Sequence, residues 1–325
     1  MDKTKNILIT GGAGYIGSHI VEALTKTKNN IFIIDNLSTG FKKLINKKAF
    51  FFDLNILNTK KIRKIILTNQ IDSVIHLAAS VSIGAGEKYP KIYFRNNVTG
   101  TINLLNACKN SSVKNFIFSS TAAIYKDGQK IVNENSKISP KSVYGKTKLK
   151  AEKQIITICK KNKINYSILR YFNVCGASLS GKIGLIGKGD HLFKNISSSV
   201  IKKKPIIKIY GNNYNTSDGT TIRDYIHVSD LANIHLEVLR KISAINKSKI
   251  INCGYGRGTS VLEVVNAFKK QIKKKIKINF KKRRAGDMEM IIANNKSLLR
   301  FINWKPKYNN LDKIVKSCLN WEKKL

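Results

Sequence analysis

The chain has 325 residues, of which 42% are apolar and 24% charged, enough for about two domains and a large core that needs no staples. Its formal charge of +41 comes mostly from lysines spread from end to end, with only nine arginines and many Ile and Asn; this reads as compositional drift on a solvated surface and speaks against a specific nucleic-acid or membrane partner, which would favour clustered arginine. Five isolated cysteines with no C-x-x-C pair argue against a disulfide framework or a metal site.

The first apolar run, Ile7-Leu8-Ile9, sits in a strand expected over 6–10 and leads into Gly11-Gly12-Ala13-Gly14-Tyr15-Ile16-Gly17. Gly12, Gly14 and Gly17 fit G-x-G-x-x-G, and Gly11, Gly14 and Gly17 fit the spacing G-x-x-G-x-x-G. A buried strand, a glycine turn and a helix expected over 15–27 would aim the helix N-terminus at a pyrophosphate. The next strand, over 31–35, closes on Asp35, at the distance that suits a carboxylate on a ribose diol. A carboxylate there repels a 2′-phosphate, which selects NAD over NADP. With a strand starting near Asn6 and no apolar run of the ~18 residues that span a bilayer, a cytoplasmic protein is expected.

Further strands are expected over 49–53, 73–77, 115–119 and 166–171, alternating with helices over 59–69, 90–109 and 142–162. That alternation predicts an α/β fold with a doubly wound parallel Rossmann sheet. Asp53 and the segment Leu77-Ala78-Ala79 fall at the carboxyl ends of strands, placing Asp53 near the adenine and Leu77 to Ala79 under the pyrophosphate. After about Val174 the alternation breaks into a glycine-spaced segment over 176–189, a helix near 192–203 and short strands. The expected division is a dinucleotide-binding domain over 1–174 and a smaller mixed α/β substrate domain over 175–325, with segments between 224 and 253 crossing back.

In Tyr144-Gly145-Lys146-Thr147-Lys148, Tyr144 and Lys148 are four apart and share one helical face. Thr121 comes from the end of the preceding strand, in Ser119-Ser120-Thr121. A hydroxyl, a phenol and an ammonium beside a nicotinamide form a proton- and hydride-transfer site. Bringing a phenol of pKa ~10 near neutrality takes a shift of about 3 units, or ~4 kcal/mol. One ammonium at ~6 Å in an effective dielectric of ~20 supplies about 3 kcal/mol, so Lys148 nearly suffices and a positive nicotinamide adds the rest. Farther on, Asn173, His191, Arg223 and the run Arg283-Arg284-Ala285-Gly286-Asp287 form a second group. Two separated arginines suit a diphosphate, and Asp287 a ribose diol.

Taken together, GGAGYIGSH, IDNLSTG, NNVTGT, NFIFSSTAAIY, YGKTK, LRYFNVCGA, DGTTIRDYIHVSDLA and RRAGD resemble the UDP-glucose 4-epimerase family of the extended short-chain dehydrogenases/reductases, nearly end to end. The resemblance implies a firmly held NAD that oxidises C4 of a UDP-hexose; the ketosugar then swings about its diphosphate link and is reduced from the other face. It assigns Tyr144 as acid/base, Thr121 to the C4 oxygen, and Lys148 to the nicotinamide ribose and to tuning Tyr144. The NAD contacts it implies include Tyr15 and Ile16 beside the glycines, then Asn36, Leu37, Ser38, Thr39 and Gly40. Leu54, Asn96 and Phe172 complete that set. Arg223 and Arg284 would grip the diphosphate and Asp287 the uridine ribose, with Asn173 and His191 along the substrate path. A homodimer is implied as well.

Departures from the family pattern are Thr121 for serine, Val81 for a lysine near the cofactor ribose, and Ile291 for a tyrosine that narrows the sugar pocket in some relatives. The last implies room for a 2-acetamido sugar and activity on UDP-GlcNAc and UDP-GalNAc. A 4,6-dehydratase would need Asp-Glu after the threonine, where this chain has Ala122-Ala123. Still open are a UDP-glucuronate 4-epimerase or decarboxylase and a non-catalytic NAD-binding regulator; the latter would be free to lose Tyr144 or Lys148.

Overall fold

A computed structural model of the protein describes residues 4–187, 191–272, 275–284 and 286–325. The end of the 176–189 segment, Lys273-Lys274 and the Ala285 of RRAGD lie outside the described residues.

The first half builds β1 (Asn6–Thr10), α1 (Tyr15–Leu24), β2 (Asn30–Asp35), β3 (Phe50–Asp53), α2 (Thr59–Thr68), β4 (Ser73–His76), α3 (Ile83–Lys88), α4 (Pro90–Phe94), α5 (Gly100–Cys108), β5 (Asn115–Thr121), β6 (Ile131–Val132), α6 (Val143–Lys161) and β7 (Asn165–Tyr171). The second half adds β8 (Asn173–Cys175), α7 (Leu192–Val200), β9 (Ile206–Tyr210), β10 (Ile222–Arg223), β11 (Tyr225–His227), α8 (Val228–Ile245), β12 (Lys249–Cys253), β13 (Thr259–Ser260), α9 (Val261–Ile272), β14 (Lys277–Lys281), β15 (Met290–Ala293), α10 (Lys296–Phe301) and α11 (Leu311–Glu322).

A parallel seven-stranded sheet runs in the order β12-β7-β5-β4-β1-β2-β3. Its strands read as continuous apolar runs because both faces are covered by helices. One face carries Ile7, Ile9, Ile33, Ile75 and Ile117 against residues of α1 and α8; the other carries Leu8, Phe32, Ile34, Val74 and Phe116 against α2, α5 and α6. Strand order reverses between β1 and β4, the switch point at which such sheets leave a crevice for a ligand. The strand Lys249–Cys253 joins the free edge of β7. Smaller sheets, β13-β10-β15-β6, β11-β8 and β14-β9, lie beyond the carboxyl ends.

Four expected elements differ. The helix expected over 15–27 ends at Leu24. The helix expected over 90–109 is divided by a π turn over Arg95–Thr99; the wider turn carries Asn97 into the interior, where it is 2% exposed. The helix expected to 203 stops at Val200, ahead of three adjacent lysines and Pro205, whose ring disfavours helix in the residue before it. The fifth strand continues two residues past Ser119, which carries Thr121 to the mouth of the crevice.

Candidate active site

The glycine loop closes the top of β1. Gly11 adopts φ +76°, and a Cβ there would come within 2.7 Å of Ala78 N, so the loop lies directly on the Leu77-Ala78-Ala79 segment after β4. A Cβ on Gly17 would overlap the carbonyl of Gly11; only glycine lets the first turn of α1 sit this close. As the first two residues of α1, Tyr15 and Ile16 present backbone N–H groups that the helix cannot use itself. This is a cradle shaped for an anion, and the residues present fit the pyrophosphate of a dinucleotide.

Asp35 is 7% exposed. Its Oδ2 accepts the Ala13 N–H at 3.0 Å and its Oδ1 accepts Leu37 N–H at 2.9 Å. The carboxylate thus ties the glycine loop to the turn after β2, with further lone pairs left for a ribose diol. Burial pushes its pKa up, opposed by these two bonds. Asn36 caps the same turn by accepting from Ser38, with Thr39 exposed and Gly40 packed against Asp35. Asp53 stands opposite Asp35 at the end of β3, and the following N–H, that of Leu54, bonds Asp35 O at 3.1 Å. On the other side of the crevice Asn96 donates to Ser80 Oγ at 3.0 Å.

Helix α6 opens with Ser142 accepting from Gly145 N–H, an N-cap that fixes where the helix begins. Tyr144 is half-buried and hydrogen-bonded to Thr121. Lys148 is 2% exposed; its Nζ donates to Ser119 O at 2.7 Å, stands 6.0 Å from the Tyr144 ring centre and lies 4.6 Å over the Phe118 ring. The three predicted groups therefore meet in one place, two of them with ionisation governed by burial. Burial pushes Tyr144 up to about 12 despite the Thr121 hydrogen bond, and pulls Lys148 down to about 7 against the attraction of Glu152. Burial is the largest influence on both groups.

Beyond the crevice, Arg223 donates to Asp287 Oδ1 at 2.5 Å, Met288 O at 2.6 Å and Ile222 O at 2.9 Å. The two residues assigned to different parts of a nucleotide are thus bonded to each other. The guanidinium of Arg284 lies 4.0 Å over the Tyr210 ring and that of Arg283 4.1 Å over Tyr214. His191 is an exposed N-cap of α7 whose ring meets the edge of Tyr15 at 6.2 Å. Asn173 is exposed at the start of β8. Phe172 is 7% exposed and packs with Ala122, Ile124 and Ile291, so most of its surface serves this small core.

Several supporting residues escape a reading by motif. Asn97 lies inside NNVTGT, but only the π turn aims its amide at Ser80 O (2.9 Å) and Thr147 Oγ1 (3.1 Å), beside Lys148. His76, beneath the loop, bonds Thr10 Oγ1 at 2.7 Å and Thr101 Oγ1 at 2.9 Å. Glu152 could have been found, since it continues the four-residue spacing of Tyr144 and Lys148.

Residues 7–254 match the NAD dependent epimerase/dehydratase family. The UDP-glucose 4-epimerase of Lactobacillus helveticus is 38% identical over 319 residues, covering 98% of this chain and 97% of that protein. Among solved structures, UDP-glucose 4-epimerase from Brucella ovis in complex with NAD superposes with a TM-score of 0.92 at 33% identity, covering 97% of this chain and 98% of its own. The UDP-Glc/GlcNAc 4-epimerase of Campylobacter jejuni superposes with a TM-score of 0.85 at 36% identity, covering 99% and 100%.

Proposed function

Because the chain belongs to the NAD dependent epimerase/dehydratase family, we propose that it interconverts UDP-galactose and UDP-glucose through a transient 4-keto sugar, using NAD that stays bound. The observation that carries this reading is the convergence of Thr121, Tyr144 and Lys148 at the carboxyl end of β5, in a fold shared nearly end to end with UDP-glucose 4-epimerases.

When bound, NAD would supply the two-electron oxidant for sugar C4 and, once reduced, the reductant that restores it. Tyr144 removes the C4 hydroxyl proton and later gives it back, while Thr121 shares a hydrogen bond with the same oxygen. Lys148 adds positive charge beside the phenol, so the phenolate is favoured next to oxidised cofactor and the phenol next to reduced cofactor. The ketosugar turns about its link to the diphosphate and presents its other face. For this the nucleotide must stay anchored while the sugar moves. We assign that anchoring to the Arg223–Asp287 pair and Arg284, with Asp287 for the uridine ribose and Asn173 and His191 along the path. The cradle over 11–17, the turn over 35–40, Asp53, Leu54, Leu77 to Ala79, Asn96 and Phe172 are the proposed NAD contacts.

Ile291 favours a second reading of the sugar range. It is 5% exposed and packs into an apolar cluster with Ala122 and Phe172, so at this position no large ring projects toward the sugar. The Campylobacter jejuni relative is a UDP-Glc/GlcNAc 4-epimerase. A homodimer belongs to the same proposal, supported by exposed apolar side chains at Tyr89 and Ile92. A cytoplasmic setting belongs to the same proposal. Among the described residues no helix is long and apolar enough to cross a membrane.

The test is to purify the protein, look for bound dinucleotide by absorbance, and add UDP-galactose without NAD. Formation of UDP-glucose supports the reading; no turnover by dinucleotide-loaded protein overturns it. UDP-GlcNAc assayed alongside decides the second: no conversion beside brisk turnover of UDP-glucose removes it.

A further inference from the structure

Helix α6 and strand β5 face each other through three successive rungs. Tyr144 meets Thr121, Lys148 meets Ser119, and one turn farther Glu152 meets Ser120. The first two rungs belong to the proposed chemistry; the third does not touch the crevice. Glu152 and Arg170 are 2% and 3% exposed, and Arg170 grips the carboxylate through Nε at 3.2 Å and Nη2 at 2.9 Å. Arg170 is fixed in turn by donating Nη1 to Tyr125 Oη at 3.0 Å and Glu134 O at 3.1 Å. Breaking a buried pair is costly, yet such pairs commonly add little stability over apolar packing of the same volume. The placement of this one beside a buried ammonium calls for a different explanation.

Lys148 bonds Ser119 through neutral oxygens, its carbonyl at 2.7 Å and its hydroxyl at 3.4 Å. The groups facing it are Tyr144 and Glu152 on its own helix, neutral His76 on β4, the Phe118 ring on β5, and Arg170 on β7 by way of Glu152. Tyr93 on α4 and Tyr171 on β7 act on the Tyr144 side. Of these the Glu152 carboxylate is the one negative charge, and it opposes the loss of the Lys148 proton. We propose that Glu152, clamped by Ser120 and Arg170, is the positioning residue that keeps Lys148 charged beside Tyr144 and so sets the alkaline limit of the reaction. This rests on the reading of Tyr144 and Lys148 given under the proposed function.

The test compares initial rates against pH for dinucleotide-loaded wild type, Glu152→Gln and Glu152→Asp. A second readout independent of turnover follows the near-ultraviolet tyrosinate absorbance of each, taken as a difference from its Tyr144→Phe counterpart. Glu152→Gln should lose activity on the alkaline side about one pH unit or more below wild type, while Tyr144 ionises at higher pH. Glu152→Asp, which keeps the charge, should hold the wild-type limit. A Glu152→Gln protein with a wild-type alkaline limit and wild-type Tyr144 titration overturns the proposal, even if its Tm falls. Should Glu152→Gln fail to fold because Arg170 is left uncompensated, Glu152→Gln combined with Arg170→Met removes both charges and should show a smaller displacement in the same direction, since the cation opposing the Lys148 proton is removed with the anion; a wild-type profile there overturns it equally. If wild type itself is inactive on UDP-galactose, the function is misread, and the tyrosinate titration still decides the role of Glu152.

Discussion

Arg223 Nη2 lies 2.5 Å from Asp287 Oδ1, and the same nitrogen reaches Met288 O at 2.6 Å. The pair joins β10 to the segment just before β15, the strand with which β10 itself pairs, so a nucleotide would meet a guanidinium and a carboxylate already oriented by each other. An anchor built this way loses little entropy on binding.

Asp287→Asn leaves the shape and removes the charge. Arg223 keeps its bonds to main-chain carbonyls but loses the carboxylate that aims it, and a ribose diol loses a charged acceptor. A charge-assisted hydrogen bond contributes about 1.5–3 kcal/mol, so KM for UDP-galactose should rise about 10- to 100-fold. The fall in kcat should be much smaller. Steady-state kinetics check this; a loss confined to kcat would place Asp287 with the chemistry instead.

Tyr144→Phe keeps the ring and removes the hydroxyl bonded to Thr121. Positioned acid/base groups contribute typically 10²- to 10⁴-fold. Turnover of UDP-galactose should fall by about that factor, while the dinucleotide content of the purified protein stays at the wild-type level. Turnover within a few fold of wild type would remove Tyr144 from the mechanism.

The large sheet was legible because its strands are buried on both faces and read as short apolar runs such as Ile7-Leu8-Ile9. The shared face of Tyr144 and Lys148 was legible because the two lie one helical turn apart. What escaped was set by tertiary contact. No local spacing tells that Arg223 and Asp287 bond each other across 64 residues, or that a π turn points Asn97 inward. The electrostatics escaped for a related reason: the cost of burying Lys148 is a property of everything around it. Aromatic partners of Arg283 and Arg284, Tyr214 and Tyr210, are likewise brought by β9 and the turn after it.

Stability should fall in mild acid, because burial holds four of the five histidines neutral. The pKa of His19 and His235 is pulled down to about 4, and that of His76 and His227 to about 3. The unfolded chain then takes up more protons than the folded one below about 6.5. The stability these groups contribute is fully present above that pH and is lost as pH falls toward 4. Asp224 acts in the opposite sense: burial pushes it up to about 6, so its ionisation costs stability as pH rises through that value. Lys148, pulled down to about 7, acts with the histidines, and Asp35, pushed up by burial, with Asp224; the balance is a net loss on the order of 5 kcal/mol between pH 8 and 5. Thermal melts should show Tm lower at pH 5 by on the order of 10 °C; equal Tm values at the two pH values would contradict neutral burial of these rings.

Tyr15 gives the glycine loop a second attachment. It is the first residue of α1, so its N–H lies in the anion cradle, while its hydroxyl donates to Gly176 O at 2.6 Å. Gly176 has φ +89°, and a Cβ there would overlap the His227 ring. The carbonyl that Tyr15 holds is therefore fixed in place from below. One side chain thus ties the start of α1 to the chain after β8, beside the exposed ring of His191. A cofactor that must serve both half-reactions cannot be exchanged between them, and this tie is suited to slowing its escape. Tyr15→Phe keeps the ring contacts with His19 and His191 and deletes one hydrogen bond of about 1 kcal/mol. The dissociation rate of bound dinucleotide, followed by displacement with labelled NAD, should rise about fivefold. Epimerisation measured with saturating NAD should stay near wild type. An unchanged dissociation rate would show that the glycine loop retains the cofactor without this tie.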